Sequence, residues 1–135
     1  MEKKFEFLDH TADIKFKTYG KTINEVIENC AAAFSSYIAN EQKIKPVKGK
    51  IIDVKGDDKE SLLYNFLDEL IYLVDAENFI VAKASVTVRG NNLRAELYGD
   101  DASKYSLKQV KAATYAEMYI KQDLKGWEAQ VVLDV

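Results

Sequence analysis

Apolar residues along this chain alternate, then recur at helical steps, then alternate again. Phe5 and Phe7, followed by Ile14, Phe16 and Thr18, alternate with charged or polar residues. That pattern predicts two strands, or one strand bent at the polar stretch Leu8-Asp9-His10-Thr11-Ala12-Asp13, with Gly20 ending the second. Thr22-Ile23-Asn24-Glu25 has the spacing of a capping box, in which the hydroxyl and the carboxylate satisfy free N–H groups reciprocally. Ile23, Val26, Ile27, Cys30, Phe34, Tyr37 and Ile38 then recur at three- and four-residue steps, the mark of a helix with one apolar face. Asn40 is placed to close it.

A polar loop is expected from Glu41 to Lys50 around Pro46, then a short strand Ile51-Ile52-Asp53-Val54. Gly56-Asp57-Asp58 turns into a second helix, capped by Asp57 or Asp58. Its stripe, Leu62, Leu63, Phe66, Leu67, Leu70, Ile71 and Val74, is the strongest periodic signal in the chain and marks the core helix. Ile80 to Val88 and Leu93 to Leu97 alternate on either side of a Gly90-Asn91-Asn92 turn, which reads as a hairpin. Gly99-Asp100-Asp101 is expected to open a polar loop to about Lys108, as a solvated acidic turn. The segment Val110 to Ile120 suits helix or strand. Strand is preferred, because Asp123 to Gly126 can turn into the alternating Trp127, Ala129, Val131 and Leu133, which need a partner. The expected architecture is α+β: a mostly antiparallel sheet of about seven strands covered by two main helices, in a single compact domain over 1–135.

Composition narrows the function. The chain has 135 residues, 47% apolar and 30% charged, with a net charge of −3 and a pI near 5.3. That balance argues against a protein that holds nucleic acid by overall charge, and leaves room for a local basic patch. A lone cysteine, Cys30, rules out an internal disulfide and suits a reducing cytoplasm; its place on a helix stripe makes it a buried structural thiol. The N-terminal residues have no signal-peptide core, and no segment approaches the roughly 18 apolar residues of a membrane span.

The chemistry concentrates at the two ends. Asp9, His10 and Asp13 sit in the polar kink, and Asp134 with the carboxylate of Val135 stands at the other end of the sequence. Hard divalent cations take several oxygen ligands. If the last strand lies beside the first, Asp13 and Asp134 meet at one sheet end, where a cation would relieve their repulsion. The plainer alternative is that Asp9 and Asp13 cap a turn and Asp134 is a terminal charge. His10, the only histidine, could be a general base, a ligand or a structural residue. Lys111, with Thr114 three residues on, could pair with the carboxylates, contact phosphate or be plain surface. Tyr115 and Tyr119 are expected on one strand face, as a stacking surface or as packing. No nucleophile elbow, phosphate-binding glycine loop, dinucleotide fingerprint or zinc-type spacing is present.

Taken together, LDHTAD at 8–13, the helix segment from Leu62 to Tyr72, Val110-Lys111-Ala112-Ala113-Thr114-Tyr115 and the closing Trp127 to Val135 resemble the archease family over nearly the whole chain. The resemblance implies an activator, not an enzyme in its own right. It would assist the tRNA-splicing RNA ligase by promoting guanylylation of the ligase's histidine, restoring turnover and widening nucleotide choice. It implies calcium, or another divalent cation, on Asp13, Asp134 and Val135, with Asp9, His10, Lys111 and Thr114 acting on the partner and RNA contacted only indirectly. An older view of the family is a chaperone-like modulator of a tRNA methyltransferase; a stand-alone metal-dependent hydrolase is a further alternative. One departure stands out: Ala116 occupies a position where the family usually carries histidine.

Overall fold

The computed structural model describes residues 3–8 and 13–135. In chain order these form β1 (Phe5–Leu8), β2 (Ile14–Gly20), α1 (Ile23–Ala39), β3 (Lys48–Lys55), α2 (Lys59–Glu77), β4 (Phe79–Arg89) and β5 (Asn92–Asp101). A short 3-10 turn (Ala102–Lys104), β6 (Ala112–Asp123) and β7 (Gly126–Asp134) complete the chain. The seven strands divide into two antiparallel sheets, ordered β1-β2-β7-β6 and β3-β5-β4.

Both helices form where periodicity places them. Glu25 N donates to the Thr22 hydroxyl at 3.1 Å, but the Glu25 carboxylate takes the N–H of Lys21 rather than that of Thr22, so the expected box closes one residue early. Asp58 caps α2: its carboxylate accepts from Ser61 N at 2.7 Å while the Ser61 hydroxyl accepts from Asp58 N at 3.0 Å. Each helix ends on an asparagine in the left-handed region, Asn40 at φ 50° and Asn78 at φ 54°, a conformation that asparagine tolerates better than most residues.

The buried stripes of α1 and α2 join the two sheets into one core. α1 packs on β2 and β4, and α2 packs on β6, β4 and β3. Phe34, Phe66, Leu63 and Leu67 are fully buried, and each such side chain contributes about 1.5–3 kcal/mol. The helices also protect strand edges. Val86 N and Val88 N on β4 donate to Glu28 at 2.8 Å and Asn24 at 2.9 Å, both from α1. Ile120 N on β6 donates to Glu60 of α2 at 3.3 Å. Backbone donors that would template pairing with another chain are thereby occupied. None of the described helices is long and apolar enough to cross a membrane.

Three expectations need correcting. β3 runs over eight residues, not four, because its first residues face solvent at a sheet edge and so carry no alternation. Gly99-Asp100-Asp101 is no loop: it ends β5, and Asp100 is 2% exposed. Only glycine fits at position 99, since a Cβ there would lie 2.0 Å from the Ile80 carbonyl oxygen. The third correction concerns β6, where a bulge interrupts the expected alternation.

Candidate functional site

Strand register brings the expected residues to one end of the four-stranded sheet. Ile14 pairs with Leu133, so the next antiparallel step puts Asp13 across from Asp134. On the other side Ala112 pairs with Asp134, and Lys111 N donates to the Asp134 carbonyl at 2.8 Å. Leu133 points into the core and is fully buried; by alternation Asp134 faces outward. Asp134 and Lys111 are exposed, and Asp13, Thr114 and Val135 are half-buried. Neither the Asp13 nor the Asp134 carboxylate has a hydrogen-bond or ion-pair partner among the described residues. Asp9 and His10 lie outside the described residues.

A carboxylate pair at adjacent strand ends is a hard-oxygen donor set that could hold calcium. Among the described residues no group of three or more His, Cys, Asp or Glu is placed to hold a metal. The described donors are therefore the two carboxylates and main-chain oxygens such as those of Val135.

Next to this corner β6 departs from regular pairing. Thr114 pairs with Val132 and Tyr119 with Gln130, which is five steps along β6 against two along β7. The extra residues form a wide bulge. Its turn is held by Ala116 N donating to the Thr114 hydroxyl at 3.1 Å and by Gln130 Nε2 donating to the Glu117 carbonyl at 2.8 Å. Glu117 takes φ 58°, uncommon for a non-glycine residue, and its carboxylate pairs with Lys15 Nζ on β2 at 3.0 Å. That bridge spans Val132, which points away from the helices yet is only 1% exposed.

An odd number of inserted residues flips the face of every later side chain. Ala113 and Ile120 are therefore the inward residues, at 4% and 5% exposure, and the period-two alternation from Val110 to Ile120 does not make one face. Tyr115 and Tyr119 part company for the same reason. Tyr115 stacks on Tyr64 of α2, with ring centroids 4.2 Å apart at 8°, whereas the Tyr119 hydroxyl bonds Glu128. Lys15, Glu117 and Gln130 carry no signal in the sequence, since nothing local marks residues that meet only across three strands. Ala116 sits exposed in the bulge.

Elsewhere the reactive groups are closed off. The Cys30 thiol is fully buried 3.2 Å from the Thr18 hydroxyl, and burial pushes its pKa up to about 12, so it is no nucleophile. Asp100 accepts from the Tyr105 hydroxyl at 2.7 Å, Lys104 Nζ at 3.1 Å and Asp101 N at 2.8 Å. The Tyr105 bond above all holds its pKa down at about 2. An open groove of about 960 Å³ lies beside Tyr19, Asn29, Trp127 and Glu128. It is at the opposite end of β7 from Asp134, roughly 27 Å away by strand rise, and takes no part in the candidate site.

The chain is similar to known proteins over nearly its whole length. A model of the Archease protein family matches residues 5–135. Protein archease of Methanosarcina barkeri is 40% identical, over 98% of this chain and 97% of that protein. Protein archease of Pyrococcus abyssi is 38% identical over 98% of this chain and 99% of that one. A solution structure of a Methanobacterium thermoautotrophicum protein superposes with a TM-score of 0.78 at 28% identity, covering 97% of this chain and 98% of that one. The crystal structure of an archease from Thermotoga maritima, described as a possible chaperone, has a TM-score of 0.67 at 20% identity, with 100% and 98% coverage, and bears on the fold alone.

Proposed function

The chain belongs to the archease family, and from that premise we propose that it is a protein activator of the tRNA-splicing RNA ligase, working in the cytoplasm through an acidic corner that holds calcium. The observation that carries this reading is the convergence of Asp13 and Asp134 at one sheet end with neither carboxylate engaged among the described residues. Two like charges without a local partner are costly to hold together, and a divalent cation removes that cost. Asp13, Asp134 and main-chain oxygens of Val135 would hold the ion. A bound divalent cation offsets phosphate charge, which nucleotidyl transfer requires. Lys111, tied by its backbone to Asp134, and Thr114, two register pairs further along the sheet, stand beside the carboxylates to meet the partner. Asp9 and His10 are assigned to the same role from the resemblance. The acidic chain meets RNA only through the ligase.

The test is a reconstituted reaction with the ligase of the same organism, following ligase guanylylation and the number of turnovers. Asp13→Ala and Asp134→Ala are each expected to lower the stimulation about 100-fold, the scale of several kcal/mol of charge stabilisation. Full stimulation by both variants ends the proposal. A second reading, a chaperone-like modulator of a tRNA methyltransferase, follows the older view of the family. It requires stimulation that is indifferent to both aspartates. A stand-alone metal-dependent hydrolase would need a base beside the metal, and its one candidate, His10, lies outside the described residues; turnover by the purified chain alone would favour it.

A further inference from the structure

α2 carries an aromatic surface that the fold covers only in part. Tyr64 and Tyr115 stack face to face, and Tyr115 remains 54% exposed. Tyr72, two helical turns beyond Tyr64, is 51% exposed. At 100° per residue, Tyr64, Asp68, Tyr72 and Asp75 fall within about 80° of the helix circumference, one outward stripe about 16 Å long. Asp68 and Asp75 are exposed and have no hydrogen-bond or ion-pair partner among the described residues. Between 57 and 77 there are seven carboxylates and one lysine, a local balance of −6 in a chain whose total is −3.

Tyrosines recur as energetic anchors of protein interfaces. The acidic excess of this helix, in which Glu77 is paired with Lys50 but Asp68 and Asp75 stand exposed on the tyrosine stripe, decides among occupants. It repels the phosphates of nucleic acid and a second copy of the same face. It attracts arginine, whose guanidinium both stacks on tyrosine and forks onto carboxylate. We infer that the Tyr64–Tyr115–Tyr72 face of α2, with Asp68 and Asp75, docks an arginine-bearing surface of a protein partner. The inference rests on the activator reading and makes that partner the ligase. It gives the two regions separate work: α2 and the bulge hold the ligase, while the carboxylate corner acts on it. Tyr115 lies three residues along β6 from Ala112, the partner of Asp134, but on the helix side of the sheet, so a partner seated on the aromatic face reaches the carboxylate corner by passing round the β6 edge.

The experiment titrates the full chain against the ligase and reads two quantities: the concentration giving half-maximal guanylylation and the plateau. Tyr115→Ala, Tyr72→Ala and Asp68→Lys with Asp75→Lys are each expected to raise the half-maximal concentration about tenfold with the plateau intact. The lysine pair should also flatten its salt dependence. Tyr72, Asp68 and Asp75 are exposed, so those melting temperatures should stay near the parent's, while Tyr115→Ala gives up the Tyr64 stack and should melt a little lower. Asp13→Ala and Asp134→Ala should lower the plateau instead. Half-maximal concentrations equal to the parent's in all surface variants overturn the docking face and leave the activator reading standing. No stimulation by the parent protein overturns both. Binding of tRNA exon halves that Tyr115→Ala abolishes, with ligase half-saturation unchanged, gives the face to nucleic acid and overturns the inference.

Discussion

Asp100 and Asp134 both stand at the C-terminal end of a β-strand, yet they live opposite lives. Asp100, near the end of β5, is 2% exposed and takes three donors, from Tyr105, Lys104 and the Asp101 backbone. Asp134, at the end of β7, is exposed and has no side-chain partner among the described residues. The difference lies in the surroundings of each strand end. After β5 the chain folds back through a 3-10 turn, which brings Lys104 and Tyr105 over Asp100. The hydroxyl of Tyr105 also accepts from Lys45 N at 3.1 Å, so one buried carboxylate organises two connections. At Asp134 no turn of the described residues folds a donor back over the carboxylate, and the neighbouring residue across the sheet is another aspartate. A satisfied carboxylate is architecture; an unsatisfied pair is available to a ligand.

The sharpest way to break this contrast is to truncate each residue in turn. Asp100→Ala leaves the half-buried Tyr105 hydroxyl and the Asp101 N–H without their acceptor. It is expected to lower the melting temperature by roughly 10 °C, with stimulation of the ligase unchanged per folded molecule below that temperature. Asp134→Ala is expected to move the melting temperature by no more than about 2 °C while removing the stimulation. Thermal melts followed by circular dichroism, alongside the guanylylation assay, separate the two. An Asp134→Ala protein that melts as early as Asp100→Ala would make the carboxylate corner structural.

Calcium should sharpen the same contrast with a smaller effect. A ligand that binds only the folded state stabilises it by RT ln(1 + [L]/Kd), about 1.4 kcal/mol at tenfold excess over Kd, or roughly 5 °C for a domain of this size. Parent protein and Asp100→Asn should both gain that shift over chelator-treated samples. Asp13→Ala and Asp134→Ala should gain none. A shift that survives in the corner variants would place the ion elsewhere.

These two carboxylate regions also show how far the sequence alone is legible. The α2 stripe repeats from Leu62 to Val74 within a helix of 19 residues, long enough for its period to fix both element and face. The meeting of Asp13 and Asp134 comes from two alternating segments that pair in antiparallel fashion, and a pattern of apolar residues carries that much. Asp100 reads wrongly as solvated because its partners arrive from a turn whose sequence, Ser103-Lys104-Tyr105, looks like ordinary surface. The β6 bulge stays hidden because alternation looks unbroken from Val110 to Ile120, while the insertion that flips the face is a property of its pairing with β7. The Tyr64–Tyr115 stack is beyond reach for a related reason: it joins a helix to a strand 51 residues later, and no local period reports such a contact.

The smallest effect, and the most specific to Asp100, is on acid stability. Its carboxyl titrates at about 2 in the folded chain, below the ordinary aspartate value of 3.8. A group whose pKa is lower in the folded state binds fewer protons there than in the unfolded chain. Its contribution is therefore complete above about pH 4 and is lost as pH falls toward 2. Asp58, lowered by the Ser61 backbone and hydroxyl, and Glu6, lowered by the Tyr19 hydroxyl, act in the same direction and remain in any Asp100 variant. Asp100→Asn keeps the shape, exchanges one acceptor oxygen for an NH2 donor at every pH, and removes the titration. The gap in melting temperature between parent and variant should thus be widest at about pH 5 and shrink through about pH 3 toward pH 2. A gap that stays constant over that range would mean that Tyr105 and Lys104 hold Asp100 by shape rather than by charge, and the division between the two aspartates would then rest on burial alone.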